Sequence, residues 1–573
     1  MRIRILERLI LAGLLIVWAG LFAAQVVHGG RFRDKSERNR SRLIHLPAPR
    51  GNILDRNGIP LVEDRMRFEL AILPQELRDS DDAWRQLSKR VGLPAEELAG
   101  RYRRGFVARF SPVTLVRDLP RETAFLLEEE RARLPGLVIR PVPQRHYPLG
   151  AAVGPVVGYL GLIGPEELTR LRPYGYTFRD WVGKEGVEKT CDPFLRGRDG
   201  GLHVEVNAQG RMVQQIGFLA PQRGRSVRLS IDVRLQKLCY DLLRGGEGAL
   251  IAMEASTGEI LSLVSTPSFD PNDFVDPSGG DEIRRVLRHP DQPMFNRATR
   301  SRIPPGSVFK PAVAYEALRQ QKISAGTAFE CLGEYKLGTA SFRCWREEGH
   351  QAQTVSEALQ HSCNIFFYQT GRRLGADGIA RAARLFRLDQ PTGIDLPGEA
   401  RGQVPDPAWM KQTLNHTWQE GDTVSFAIGQ GPLLVTPLEM LLLFNTIATE
   451  GQLLKPRVLL EVDGKAPQAP AAEERVALDR SVLRWVKEGL DRVVNTESGT
   501  GRLAVVPGVR VAGKTGTAQV PQGNPHAWFC GYAPADHPKV SFVIFLEHGG
   551  KGGLRPAQVA GQLVGLLKEM DYL

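Results

Sequence analysis

The first pattern along the chain is an unbroken apolar run, Leu9–Val27, in which Gln25 is the only strongly polar side chain. A helix rises about 1.5 Å per residue, so this run just crosses a bilayer core of about 30 Å. The apolar region of a cleaved signal peptide is shorter, about 7–15 residues, and ends in a small-x-small site. No clean site follows here, so the run reads as an uncleaved anchor. Arg2, Arg4 and Arg8 precede it, while Arg31, Arg33, Lys35, Arg38, Arg40 and Arg42 follow. Both flanks are basic, and charge by itself leaves the orientation open.

Residues 31–45 carry few apolar positions and read as a solvated basic stalk. Compact structure is expected from PAPRGNILDRNGIPLVEDR, where Asn57-Gly58 lies between two short apolar runs and signals a turn. Helical periodicity covers Asp81–Arg90, Ala95–Arg104 and Arg121–Arg131, interleaved with strand-like TLV (114–116) and GLVIRPV (136–142). APQRGRS (220–226) reads as a boundary. Beyond it the pattern is strand, helix, strand, turn and strand, with Thr257-Gly258 at a hairpin tip. Long helical stretches follow, then a strand at 540–549 and a helix near 556–570. This order predicts an α+β fold whose C-terminal half is an antiparallel sheet flanked by helices. The expected division is an anchor at 1–30, the stalk at 31–45, an α+β pedestal at 46–220 and a catalytic-type domain at 221–573.

Composition narrows the class. With 573 residues, 42% hydrophobic and 24% charged, the chain is neither collagen-like, wholly disordered nor a polytopic membrane protein. Six Cys exclude a disulfide-dense scaffold. The net charge of +11 needs no nucleic acid to explain it: six basic residues lie in the stalk beside an anionic membrane, and a basic surface suits an acidic polymer.

Candidate chemistry lies in three separated motifs. SRIPPGSVFKP places Ser307 and Lys310 three apart after two prolines and a glycine, a rigid entry into a helix whose first turn would hold Ser307. A serine hydroxyl is a weak nucleophile, and a lysine whose pKa is lowered can take its proton. Alone, S-x-x-K occurs by chance about once in a chain of this length at average composition. Further on, HSCNIFFY places Ser362 and Asn364 on either side of Cys363, and VAGKTGTAQV carries Lys514, Thr515, Gly516 and Thr517 on a strand-like segment. A small residue after Thr515 would let a substrate chain lie close beside that strand. S-x-x-K, S-x-N and K-T-G in this order are the signature of penicillin-binding proteins and serine β-lactamases.

The likeness extends beyond the motifs. RGNILDRNGIPL, GKEGVEKTCDPFLRGRDG, PSFDPNDF, TGIDLPGE, AIGQGPLLVTPLEM and HAWFCGYAP all resemble segments of the class B penicillin-binding proteins. More narrowly they resemble the penicillin-binding protein 2 branch that serves cell elongation, from Arg50 to the C-terminus. Gly154 stands where that family often has His. The resemblance implies a transpeptidase domain like that of penicillin-binding and serine β-lactamase proteins on an elongated pedestal. It implies D,D-transpeptidation of peptidoglycan stem peptides on lipid-linked nascent glycan, outside the cytoplasmic membrane, with β-lactams as inhibitors. Ser307 would attack the penultimate D-Ala carbonyl, Lys310 would be its base, Ser362 and Lys514 would relay the proton, and Asn364 would orient Lys310. Backbone N–H groups of Ser307 and Thr517 would form the oxyanion hole, and Lys514, Thr515 and Thr517 would hold the substrate carboxylate. A SEDS-family glycosyltransferase is the partner implied. Division-type transpeptidases and D,D-carboxypeptidase or β-lactamase-like hydrolases share the motifs. A β-lactam sensor would need a cytoplasmic effector, for which the eight residues before the apolar run leave no room.

Cys331, Cys344, His350 and Cys363 form C-x12-C-x5-H-x12-C, a donor set suited to tetrahedral structural zinc. The resemblance implies zinc at this place in some members of the branch. A Cys331–Cys344 disulfide and free thiols are the alternatives that the residues allow. Cys239 and Cys530 read as buried core. Trp345, Phe366, Phe367 and Tyr368 read as core, His526 and Trp528 as rim or turn residues, and Asp55, Glu188 and Arg196 as members of fold-holding ion pairs.

Overall fold

Arg2–Phe22 is an α-helix continued by a π-helical turn, Ala23–Val27. Within it Ile3–Val27 has a mean hydropathy of 2.3 and is the one helix, among the described residues, long and apolar enough to cross a membrane. The computed structural model describes residues 2–33, 41–76, 81–107, 112–130, 134, 136–178, 180–207, 212–276, 279–466 and 474–573. Residues 34–40 of the stalk expected at 31–45 therefore lie outside the described residues. By compactness the chain falls into two units, one made of 1–51, 64–145 and 196–225 and the other of 52–63, 146–195 and 226–573.

In the first unit, a three-stranded antiparallel sheet joins Ser41–Leu46, Gly200–Val206 and Met212–Leu219. A second core gathers Leu70, Ile72, Trp84, Leu87, Leu98, Leu115 and Leu127. It is built from helices Asp81–Val91, Ala95–Gly105 and Arg121–Glu129 packed on paired strands. The predicted helices are present. The predicted strand TLV extends to Val113–Leu119, because pairing with Phe68–Ile72 recruits flanking polar residues that alternation alone would leave out.

The second unit is organised by a five-stranded antiparallel sheet. Its order is Ile260–Thr266, Gly248–Glu254, Val540–Leu546, His526–Ala533 and Ala512–Ala518. The three inner strands are apolar at all but one position each because both faces are covered, and alternation sorts their side chains. Leu250, Ala252, Leu261, Phe529, Phe542 and Ile544 pack with the C-terminal helix Arg555–Glu569 and with Cys239 of helix Val233–Leu243. Ile251, Met253, Leu263, Trp528, Cys530, Val543 and Phe545 face the opposite core, which contains helix Pro437–Ala448, buried along its whole length. The Asn57-Gly58 turn forms as expected. Asp55, fully buried, holds it by accepting the backbone N–H groups of Asn57 and Ile59, both at 2.8 Å, so its described role is a turn anchor and not an ion pair.

Candidate active site

Ser307 does not sit in the first turn of an α-helix. It lies in a 3-10 turn, Gly306–Phe309, and the α-helix begins at Lys310 and runs to Arg319. The cause is local: Pro311 has no N–H to give the Ser307 carbonyl, so Lys310 makes that bond in the tighter i→i+3 pattern. Gly306 has φ +57, and its N–H donates to Gly429 O at 2.9 Å. A Cβ on Gly429, itself at φ +74, would stand 2.2 Å from Gly306 O, so two glycines let this turn close onto its neighbour.

The S-x-N serine occupies a strained position. Thr354 and Glu357 form a capping box that starts helix Val355–Gln360. That helix ends in a Schellman motif: Ser362 N–H reaches Leu359 O at 3.2 Å and Cys363 N–H reaches Ala358 O at 2.9 Å. Ser362 stands where glycine is usual, at φ +53, a conformation costing about 1–3 kcal/mol. The next helix, Asn364–Leu374, starts two residues later. The tight exit turns the Ser362 side chain and carbonyl, together with Asn364, toward Lys310.

Lys310 Nζ donates to Ser362 O at 2.8 Å and to Asn364 Oδ1 at 2.7 Å, and lies 3.4 Å from Ser362 Oγ. Lys514 Nζ donates to the same Ser362 Oγ at 2.8 Å and to Thr515 O at 3.1 Å. Both lysines are fully buried. Burial pushes Lys310 down to about 8, against the opposing pull of the cysteine cluster behind it. Lys514 is driven well below the usual lysine range by burial and then by the charge of Lys310. Two amines poised to lose a proton thus share one serine hydroxyl.

The K-T-G segment is the edge strand Ala512–Ala518. Gly516 has a different use from the one its sequence suggests. A Cβ there would come within 3.0 Å of Val308 Cγ1 and Trp528 Cβ and 3.1 Å of Pro305 O, so its smallness seats the Ser307 turn against the sheet. Thr517 is exposed and its Oγ1 accepts the Gly552 N–H at 3.2 Å. Thr515 is nearly buried and donates to Thr500 Oγ1 at 3.0 Å, a partner that motif reading did not single out. The only sequence signal for Thr500 is its place between two glycines in ESGTGR. Trp528 is fully buried, 4.6 Å from the Phe545 ring, so it belongs to the core and not the rim. Trp345, expected in the core, is 58% exposed and donates its Nε1–H to His361 O.

Directly behind the S-x-N turn, Cys331, Cys344, His350 and Cys363 converge, all buried, with their donor atoms within 4.8 Å of one another. All six cysteines are free thiols, so no disulfide joins Cys331 to Cys344. Each of those two sulfurs lies 3.5 Å from His350 Nδ1. A tetrahedral ion with bonds of about 2.3 Å to sulfur and about 2.0–2.1 Å to nitrogen sets that edge at about 3.5 Å. A hydrogen bond from the Cys363 thiol holds the Cys331 and Cys344 thiols below their usual range, against their burial, with further help from the Gly333 N–H and His350 at Cys331 and from His350 at Cys344. Gly333 and Gly349 let the loop close, since a Cβ on either would meet carbonyl oxygen at 1.8 and 1.9 Å. The donor set and its spacing fit a metal ion.

Residues 45–229 match the Penicillin-binding Protein dimerisation domain, and residues 248–565 match the Penicillin binding protein transpeptidase domain. The peptidoglycan D,D-transpeptidase MrdA of Acinetobacter baumannii is 33% identical, over 94% of this chain and 83% of its own length. Penicillin-binding protein 2 of Helicobacter pylori, solved in complex with MreC, superposes with a TM-score of 0.80 at 28% identity, covering 93% of this chain and 99% of that one. A chain solved in a peptidoglycan synthase complex matches with a TM-score of 0.77 at 30% identity and 98% coverage of both. With the three motifs assembled around one buried pair of lysines, the chain belongs to the class B penicillin-binding proteins, in the penicillin-binding protein 2 branch.

Proposed function

We propose that the protein is a membrane-anchored peptidoglycan D,D-transpeptidase of cell elongation, working through an acyl-enzyme on Ser307. The observation that carries this reading is the bonding of Lys310. Its two short contacts go to Ser362 O and Asn364 Oδ1, which only accept. A neutral amine spends both protons there and keeps its lone pair for the Ser307 proton. Ser307 Oγ then bonds to the penultimate D-Ala carbonyl carbon, and its proton passes to Lys310. The backbone N–H groups of Ser307 and Thr517 take the oxyanion, and Ser362, held by Lys514, gives its proton to the departing D-Ala nitrogen as the peptide bond breaks and takes one back from the Lys310 ammonium, 3.4 Å away, which returns Lys310 to the neutral amine. Lys514, Thr515 and Thr517 hold the terminal carboxylate of the donor, with Gly516 keeping their strand against the serine turn. An amine on a neighbouring stem peptide resolves the ester and leaves the cross-link. A β-lactam enters by the same acylation and stays as the penicilloyl ester.

Cys331, Cys344, His350 and Cys363 would hold zinc, with a structural role: the ion would fix Cys363 and hence the turn that presents Ser362 and Asn364. Metal analysis of protein purified without chelator is expected to find about one zinc per chain, lost with slowed acylation in Cys344→Ser. Zinc-free protein whose acylation Cys344→Ser leaves unchanged would sink this assignment. Along the chain we place the anchor at 1–30, the stalk at 31–45, the pedestal at 46–220 and the transpeptidase domain at 221–573, with the catalytic domain outside the cytoplasmic membrane, where stem peptides are cross-linked. Partners in this reading are lipid-linked nascent glycan, a SEDS-family glycosyltransferase and an MreC-like protein, in keeping with the complexes solved for its relatives.

Incubation with a stem pentapeptide donor and an amine acceptor tests the reaction. Release of D-Ala with formation of dimer is expected, and neither with Ser307→Ala. D-Ala without dimer would make the protein a carboxypeptidase. Depletion in cells separates the branches, rounded cells marking elongation and filaments division.

A further inference from the structure

Thr500 lies in a loop built to tight tolerance. A Cβ on Gly499 would stand 2.3 Å from Val493 O, and one on Gly501 would stand 2.9 Å from Val493 Cγ1 and 3.0 Å from Phe529 Cε2. The loop therefore runs hard against the end of helix Arg480–Asn495 and the strand that carries Phe529. From the other side it is tied to the residues that precede Ser362. Gln360 Nε2 donates to Ser498 Oγ at 2.8 Å, His361 Nε2 lies 3.1 Å from the same oxygen, and Thr500 N–H reaches Gln360 O at 3.4 Å.

Two hydroxyls then meet at a carbonyl. Thr500 Oγ1 is 3.3 Å from Gln360 O and 3.0 Å from Thr515 Oγ1. A carbonyl only accepts, so the single Thr500 proton goes to Gln360 O and the Thr500 oxygen accepts the proton of Thr515. This bond selects one side-chain rotamer of Thr515, which is β-branched and would otherwise exchange its hydroxyl for its methyl group by rotation about χ1. We propose that Thr500 is a positioning residue for substrate recognition, holding the Thr515 hydroxyl ready for the terminal carboxylate of the donor. When a carboxylate arrives, Thr515 turns its proton to that stronger charged acceptor, and Thr500 turns its own from Gln360 O to Thr515 Oγ1, so the bond between the two hydroxyls persists with its direction reversed and no heavy atom displaced. Thr500 also couples the two motifs, because its partners are Thr515 of K-T-G and the backbone two residues before Ser362.

The inference rests on the transpeptidase reading, and the test separates the two. Full-length protein is acylated with fluorescent penicillin over a range of concentrations, giving a half-saturating concentration and a limiting rate. Thr500→Val is expected to raise the half-saturating concentration about 3- to 10-fold, the worth of one hydrogen bond, with the limiting rate within about 2-fold. Thr500→Ser restores the wild-type value, and Thr500→Val adds nothing to Thr515→Val because both act through one hydroxyl. A fall in limiting rate at unchanged half-saturation, or additive effects in the double variant, overturns the proposal. Should Thr500→Val fail to fold, Thr500→Ser still decides: saturation unlike wild type overturns the role of the hydroxyl. Wild-type protein that takes no label would refute the transpeptidase reading itself.

Discussion

A lysine can serve as a base at neutral pH only if something removes its charge, and for Lys310 that something is burial. Its pKa falls to about 8, so at pH 7 about a tenth of the molecules carry the neutral amine. The active form is the deprotonated one. Acylation by penicillin is therefore expected to rise about tenfold per pH unit below pH 8 and to level off above it. A rate profile flat between pH 6 and 8 would contradict this. Asn364→Asp places a carboxylate where Lys310 now meets an amide oxygen 2.7 Å away. A carboxylate favours the ammonium, so the rise should move up by at least about one pH unit. At this scale the sequence was readable where chemistry is carried by fixed spacings: Ser307, Lys310, Ser362, Asn364, Lys514 and the four metal-type donors all fall in the same unit. Thr500 escaped because a threonine between glycines has no distinctive spacing from its partners, which come from distant parts of the chain.

Elements explain why the motif residues meet. Two of the three motifs use backbone that ordinary helix rules would not place there: Ser307 in a 3-10 turn enforced by Pro311, and Ser362 in a left-handed position normally given to glycine. Local pattern predicts a plain helix at the first and says nothing of the second, since propensity argues against a left-handed serine. Gly516 is the clearest case of a right residue with a different reason, because the space it leaves is filled by Pro305, Val308 and Trp528. Gly516→Ala is accordingly expected to lower stability by about 1–3 kcal/mol and to slow acylation by displacing the Ser307 turn. Thermal melting and penicillin labelling check the two effects, and a variant that melts and labels as wild type would contradict the packing argument. Gly429→Ala should be more damaging, since its φ of +74 adds backbone strain to a 2.2 Å collision with Gly306 O.

The whole molecule divides in a way that chain order conceals. Residues 52–63 and 146–195 belong to the same compact unit as 226–573. One reason is visible in the register: Ile53–Leu54 pairs in parallel with Val227–Arg228. Such pairings join residues far apart in sequence, and hydrophobic periodicity carries no information about them. The N-terminal helix, by contrast, was legible from length and hydropathy alone. Because the reacting groups and their supports all lie in the second unit, removal of residues 1–30 is expected to shift the protein to the soluble fraction while leaving penicillin labelling intact. Loss of labelling in a soluble, folded variant would show that the anchor contributes to the site. The proposed reaction turns on one bond, the ester at Ser307. Mass spectrometry of full-length protein after exposure to benzylpenicillin tests it most directly: one penicilloyl group per chain is predicted, on the peptide containing Ser307, and none on Ser307→Ala. An adduct on another residue, or one that persists in Ser307→Ala, would contradict it.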